Sequence, residues 1–199
     1  LERGELGKIL TCSSSNQGEL PRHHREWFVD KELAGGGAVM DHTVHLADLL
    51  RWFLNSEVTE VYASTNRIFH ADSVDVETGG LIMLTFEDGT FASINCSWSR
   101  PANWPSWGGL DMKLVAENGV VSVDAFRQNL VVYSQQSGHP TWAYWGSDAN
   151  QAMIEEFVAS IRENRPPLVT GHDGYKSLEI ALAAYRSVEC GQPVKLPSQ

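Results

Sequence analysis

Asp41, His42 and His45 are the residues in this 199-residue chain whose types and spacing could do chemistry. They follow Gly35-Gly36-Gly37 and open an apolar helical pattern of Leu46, Leu49, Leu50, Trp52 and Phe53. A helix over 41–54 sets residues 41 and 45 one turn apart on a single face. A carboxylate placed so beside an imidazole favours the protonated ring and fixes its tautomer, which suits a group that trades a proton with a substrate hydroxyl. Each residue also has an ordinary reading. Asp is a favoured helix N-cap, and a histidine on a stripe with Leu49 and Trp52 can be a hydrogen-bonded, part-buried residue. Neither reading explains three glycines ahead of the pair. Asp41, His42 and His45 also form metal-like pairs at i,i+3 and i,i+4, and His23, His24, His70, Asp72, Asp75 and Glu77 could supply outside ligands. Nothing in the sequence shows these segments converging, so no metal is expected; a metal-dependent hydrolase or lyase using Asp41, His42 and His45, or a non-catalytic assembly module, is the alternative reading.

The elements that must carry these groups read as an α+β domain: an open, mostly antiparallel sheet with helices packed on one face. Leu6 to Cys12 reads as a first strand, followed by a polar loop from Ser13 to Glu26. The helix at 41–54 stops at Asn55-Ser56, and Glu57 to Ile68 alternates apolar with polar residues as a strand does. Leu81–Phe86 and Phe91–Trp98 flank Glu87-Asp88-Gly89-Thr90, the clearest hairpin. Met112–Ala116 and Val120–Ala125 pair around Glu117-Asn118-Gly119, and Leu130–Ser134 makes a short strand. Two helices close the chain. One carries the stripe Met153, Ile154, Phe157, Val158 and Ile161, opened by Asp148 and Gln151 as a capping box and ended by Pro166-Pro167. The other carries Leu178, Ala181, Leu182, Tyr185 and Val188, with Asp173 as its cap and Gly191 as its stop. Trp98, Trp104 and Trp107 punctuate a long loop, either as a lid for a carbohydrate or as anchors onto the sheet or another subunit.

Hydrophobic residues make up 42% of the chain, enough for one good core. A formal net charge of -10 argues against nucleic acid or an anionic membrane as partner. The longest apolar runs fall far short of a membrane span, and Leu1-Glu2-Arg3-Gly4-Glu5 is charged from its second residue, unlike a secretory leader. Cys12, Cys96 and Cys190 are odd in number and widely spaced, which fits a reducing cytoplasmic setting. No Gly-x-Gly-x-x-Gly joins a strand to a helix, and there is no Walker loop, so this chain alone is not expected to bind a nucleotide. The start at Leu1, without Met, suggests that a preceding part is missing.

The run Trp27-Phe28, Glu32-Leu33-Ala34-Gly35-Gly36-Gly37, Asp41, His45, Asp48-Leu49-Leu50 resembles the second domain of a known family. That family is the glucose–fructose oxidoreductase, inositol dehydrogenase and rhizopine-catabolism group of NAD(P)-dependent sugar and polyol oxidoreductases. The tail agrees, with Phe157, Ile161-Arg162, Pro166-Pro167, Thr170-Gly171, Asp173-Gly174, Leu178, Ala181, Tyr185, Ser187 and Gly191 to Leu196. The resemblance implies that residues 1–199 are a single substrate and oligomerisation domain. The dinucleotide-binding Rossmann domain, with NAD or NADP and a lysine in a Glu-Lys-Pro segment, lies outside the chain. By resemblance His45 relays a proton to the substrate's oxygen, Asp41 orients the hydroxyl and the imidazole, and His42, Trp27 and Trp104 are candidates to contact a sugar or polyol. It implies further a homo-oligomer built through the open sheet face, and a chain that is catalytically silent by itself.

Overall fold

Period-two alternation sorts side chains onto the two faces of a sheet, and here one face collects nearly all the large aliphatic residues. A computed structural model describes residues 5–134, 136 and 138–197, so the opening Leu1–Gly4 lies outside the described residues. The strands are β1 (Ile9–Gly18), β2 (Val58–Asn66), β3 (Gly79–Phe86), β4 (Phe91–Ser97), β5 (Gly108–Ala116), β6 (Gly119–Asp124) and the short β9 (Val194–Lys195). They form one open sheet in the order β6-β5-β1-β4-β3-β2-β9. All its pairings are antiparallel except β1 with β4, which run parallel. A separate ribbon pairs β7 (Asn129–Val132) with β8 (Thr141–Tyr144). The helices are the single turn α1 (Lys31–Ala34), α2 (Ala38–Leu54), α3 (Ala149–Arg162) and α4 (Gly171–Cys190).

α2 and α4 cover the inner face. Leu46 and Leu50 of α2 and Ile180, Ala183 and Ala184 of α4 pack on Val61, Ile82, Leu84, Phe86, Ile94, Met112 and Leu114. The outer face stays uncovered and shows Leu10, Tyr62, Leu81, Met83 and Phe91 among small polar residues.

Five expectations need correction. β1 continues through Ser13–Gln17, where a polar loop was expected. Its backbone pairs on both sides, with β4 and β5, and Ser14 Oγ donates to the Ser93 carbonyl at 2.8 Å; ladder bonding on both edges overrides the weak strand preference of Ser and Asn. α4 buries its small residues, Ser177, Ala181, Ala183, Ala184 and Ser187, while Leu178, Leu182 and Val188 remain exposed. Close approach is the reason, since Ser187 Oγ reaches in to accept the backbone N–H of Ala63 at 3.0 Å. Asp173 is not the cap of α4 but the third residue of a capping box whose N-cap is Thr170. Asp148 does cap α3, yet Gln151 turns to Glu155 rather than completing a box. α3 itself buries only Ser160, and Met153, Ile154, Phe157 and Ile161 face solvent.

The start of α2 is built by distant residues. Its N-cap is Gly37, which has no side chain to offer. Glu77 takes over: its Oε1 accepts from Gly37 N at 2.8 Å and Val39 N at 3.0 Å, and its carbonyl accepts from Ala38 N at 3.0 Å. Tyr185 of α4 donates its hydroxyl to the same Oε1 at 2.7 Å and accepts from Met40 N at 3.1 Å. Those bonds exhaust the free donors of the first turn. The glycines now have a reason. Gly35 closes α1 at φ 79°, a Cβ on Gly36 would collide with the Tyr185 hydroxyl, and one on Gly37 would collide with the Glu77 carbonyl. Farther along, Arg51 forks onto Glu57 at 2.6 and 2.8 Å and reaches Asp173 at 3.4 Å, tying the end of α2 to β2 and α4. Glu77→Ala should therefore cost about 2–3 kcal/mol and Tyr185→Phe about 1 kcal/mol in urea unfolding. An unchanged midpoint for Glu77→Ala would show that the cap carries no weight.

Candidate active site

Because β1 and β4 run parallel, their C-terminal ends arrive at the same edge of the sheet, directly under the capped start of α2. Trp98 follows β4 and is fully buried among Ala38, Val74, Val76, Leu20 and Val29. Its indole Nε1–H donates to Asp41 Oδ2 at 2.9 Å, and its carbonyl sits 3.1 Å from His70 Nε2. His42 lies beside them, 2% exposed, with Nε2 3.7 Å from the same Asp41 oxygen and without a hydrogen-bond partner. β1 ends in Gly18, and a Cβ there would come within 3.2 Å of the His42 ring. Asn16, also buried, donates its Nδ2 to the His42 carbonyl at 3.3 Å.

Asp41 lies in the first turn of α2, not at its cap, because the helix starts at Ala38. It remains partly open to solvent, and His45, one turn on, is exposed. Spacing predicts that Asp41 orients the ring of His45; the carboxylate instead turns to Trp98 and His42. The exposed edge of α2 continues through Asp48 to Trp52, which is 64% exposed. A cavity of about 440 Å³ opens there, lined by Asp48, Leu49, Arg51, Trp52, Leu168 and Val169.

Trp27 and Trp104 stand apart from this cluster. Trp27 stacks on Phe28 at 4.3 Å between ring centroids. The Trp104 ring lies over the Arg100 guanidinium at 4.1 Å and meets Trp142 edge-on. Trp142, Tyr144, Phe126 and Trp107 continue the edge contacts, so the aromatic loop is knitted to the β7–β8 ribbon. The anchor is thus this separate ribbon, where the main sheet or another subunit was expected. Three of the possible outside metal ligands are engaged elsewhere: Asp75 pairs with Arg67 at 2.9 Å, Glu77 caps α2 and His70 faces Trp98. Among the described residues no group of three or more His, Cys, Asp or Glu comes together to hold a metal ion. Burial pushes the thiol of Cys12 up to about 11 and that of Cys96 up to about 12, which keeps both protonated and poorly nucleophilic.

Burial also holds His42 below its ordinary value of 6.5, against the pull of the Asp41 carboxylate and with a smaller push from His45. The native ring is thus neutral where the unfolded ring takes up a proton. Its contribution to stability is complete above the ordinary value and is lost as pH falls through and below it. The thermal midpoint of the chain should drop between about pH 7.5 and pH 5.5, and His42→Gln should flatten that drop. Equal slopes in the two proteins would refute a neutral buried His42.

The sequence points to Asp41 and His45, marks Trp98 only as one of three tryptophans of an aromatic loop, and gives no sign of Asn16. A tryptophan at the end of a predicted strand carries no mark of its bond partner, and a polar Asn in a presumed loop looked solvated. Glu77 was visible only as an acid in a polar stretch.

Residues 1–122 match the family described as GFO/IDH/MocA C-terminal domain. Among curated relatives, the uncharacterized oxidoreductase YrbE of Bacillus subtilis is 29% identical over 98% of this chain and 57% of its own length. The myo-inositol 2-dehydrogenase of Thermotoga maritima is 26% identical over 98% of this chain and 58% of its own length. The chain therefore spans a little under three fifths of these relatives. Among solved structures, GenD2 from gentamicin A biosynthesis, in complex with NAD, superposes with a TM-score of 0.84 at 24% identity over 99% of this chain and 58% of that one. The scyllo-inositol dehydrogenase of Lactobacillus casei, with bound NAD(H) and scyllo-inositol, gives 0.77 at 22% over 99% and 59%. At these identities the two structures speak for the fold.

Proposed function

Since the chain belongs to the GFO/IDH/MocA C-terminal domain family, we propose that it is the substrate-side domain of an NAD(P)-dependent oxidoreductase acting on a sugar or inositol-type polyol. The observation that carries this reading is the pair Asp41 and His45, one turn apart on an exposed helix face, with Asp41 fixed from behind by Trp98. The names of the relatives support the substrate class, several being inositol or sugar dehydrogenases.

The dinucleotide does not fit on this chain's own residues. A helix N-terminus binds phosphate through free N–H groups, and those of α2 are consumed by Glu77 and Tyr185. The cofactor would belong instead to a dinucleotide-binding domain outside residues 1–199, and bound there it would supply the hydride chemistry at the substrate carbon. This chain handles the oxygen. Asp41 accepts a hydrogen bond from the reacting hydroxyl and holds it in place. His45 takes that hydroxyl's proton as the carbonyl forms, or returns it in the reverse direction. His42 backs the site as a neutral wall, and Trp27 and Trp104, which make their ring contacts outside the cluster, are candidates for contact with a bound sugar ring. The exposed stripe of α3, with Trp52, Leu168 and Val169, offers the apolar surface that a second domain would cover. The outer sheet face with Tyr62, Leu81, Met83 and Phe91 suits a second copy of the protein. No helix among the described residues is long and apolar enough to cross a membrane, and a cytoplasmic setting is proposed from the unpaired cysteines.

Turnover of NAD or NADP with inositols and aldoses decides the matter. In a protein carrying both domains, His45→Ala should lower kcat by roughly 10²–10⁴-fold, and residues 1–199 alone should show no turnover. A His45→Ala enzyme at full rate would leave the domain a role in assembly only.

A further inference from the structure

Asp41 has two carboxylate oxygens, and the structure treats them differently. Oδ2 accepts the Trp98 indole N–H at 2.9 Å and has the His42 Nε2 at 3.7 Å. Neither neighbour can move away easily. Trp98 is 0% exposed, and His42 is 2% exposed, with too little space between its ring and Gly18 for an unstrained Cβ. The His42 nitrogen is buried with no partner in hydrogen-bond range, a costly state that a small inward shift of the carboxylate would relieve. Burial keeps this ring neutral, so one of its nitrogens carries a hydrogen and the ring adds no positive charge beside the acid.

We propose that Trp98 and His42 are positioning residues that lock Oδ2 of Asp41 inward, so that Oδ1 is the acceptor offered to the substrate hydroxyl. This rests on the function proposed above for its substrate and concerns how the same site is preorganised. A carboxylate free to rotate would present either oxygen and lose the alignment that a near-attack geometry requires. One held by an indole N–H presents a single, fixed lone-pair direction at the mouth of the site. Trp98 thus acts through Asp41, without touching the substrate.

Two measurements test this. On residues 1–199, the indole N–H cross-peak of Trp98 in a nitrogen–proton correlation spectrum should move in Asp41→Ala and stay in place in His45→Ala. In a protein with both domains, Trp98→Phe, which keeps the apolar ring and removes the donor, should lower kcat about tenfold with the KM for cofactor unchanged. In the Asp41→Asn background the same change should cost little more, because its effect runs through Asp41. Losses that multiply, or an indole signal indifferent to Asp41→Ala, would overturn the proposal. Should Trp98→Phe fail to fold, the indole signal still decides. If no sugar or polyol is turned over by the two-domain protein, the proposed function falls while the spectroscopic result stands.

Discussion

The first turn of α2 depends on one carboxylate that is not part of it. Glu77 lies on the loop between β2 and β3, yet it accepts three of the turn's backbone N–H groups through its side chain and carbonyl. Burial and the neighbouring Glu77 push the Tyr185 phenol above its ordinary value, so it stays a donor to that carboxylate over the whole working pH range. Asp41 hangs from this turn. Its position relative to Trp98 is set by how firmly Glu77 and Tyr185 hold the helix start, and Gly36 and Gly37 let those two come close. The triple glycine that looks like a flexible arm in the sequence is a tightly packed joint.

Much of the architecture was legible because it rests on periodicity. The 81–98 hairpin, the 112–125 hairpin and the α2 stripe all follow from apolar spacing and a turn glycine. What escaped depends on tertiary partners. Ser13–Gln17 becomes a strand only because β4 and β5 flank it. α4 buries alanines and serines since it lies close to β2, and no pattern of hydrophobicity announces that. β8 is held by aromatic edges across the loop, which are invisible until the chain folds. The candidate site shows the same division. Asp41 and His45 stand out by spacing, whereas Trp98, His42 and Asn16 acquire their meaning from an edge of the sheet where strands distant in sequence end together.

Exposure is as informative as burial. The inner face of the sheet is covered by helices, but Trp52, Leu168, Val169 and the stripe of α3 stay open. Trp52 lies two turns beyond His45 on α2, and Leu168 and Val169 line the cavity beside it. The Arg51–Glu57–Asp173 fork borders the same cavity as Trp52, Leu168 and Val169 while it pins the end of α2, and the Arg165–Glu156 fork pins the end of α3.

The parallel pairing of β1 with β4 carries a kinetic consequence. Strands separated by more than seventy residues must zip together before Gly18 and Trp98 share an edge, and such nonlocal closure is slow. A peptide of residues 38–54 would contain both protonatable groups and most of the helix stripe, yet it would fray at its first turn in water. The chemistry is therefore written in one short segment and withheld until the last long-range contacts close.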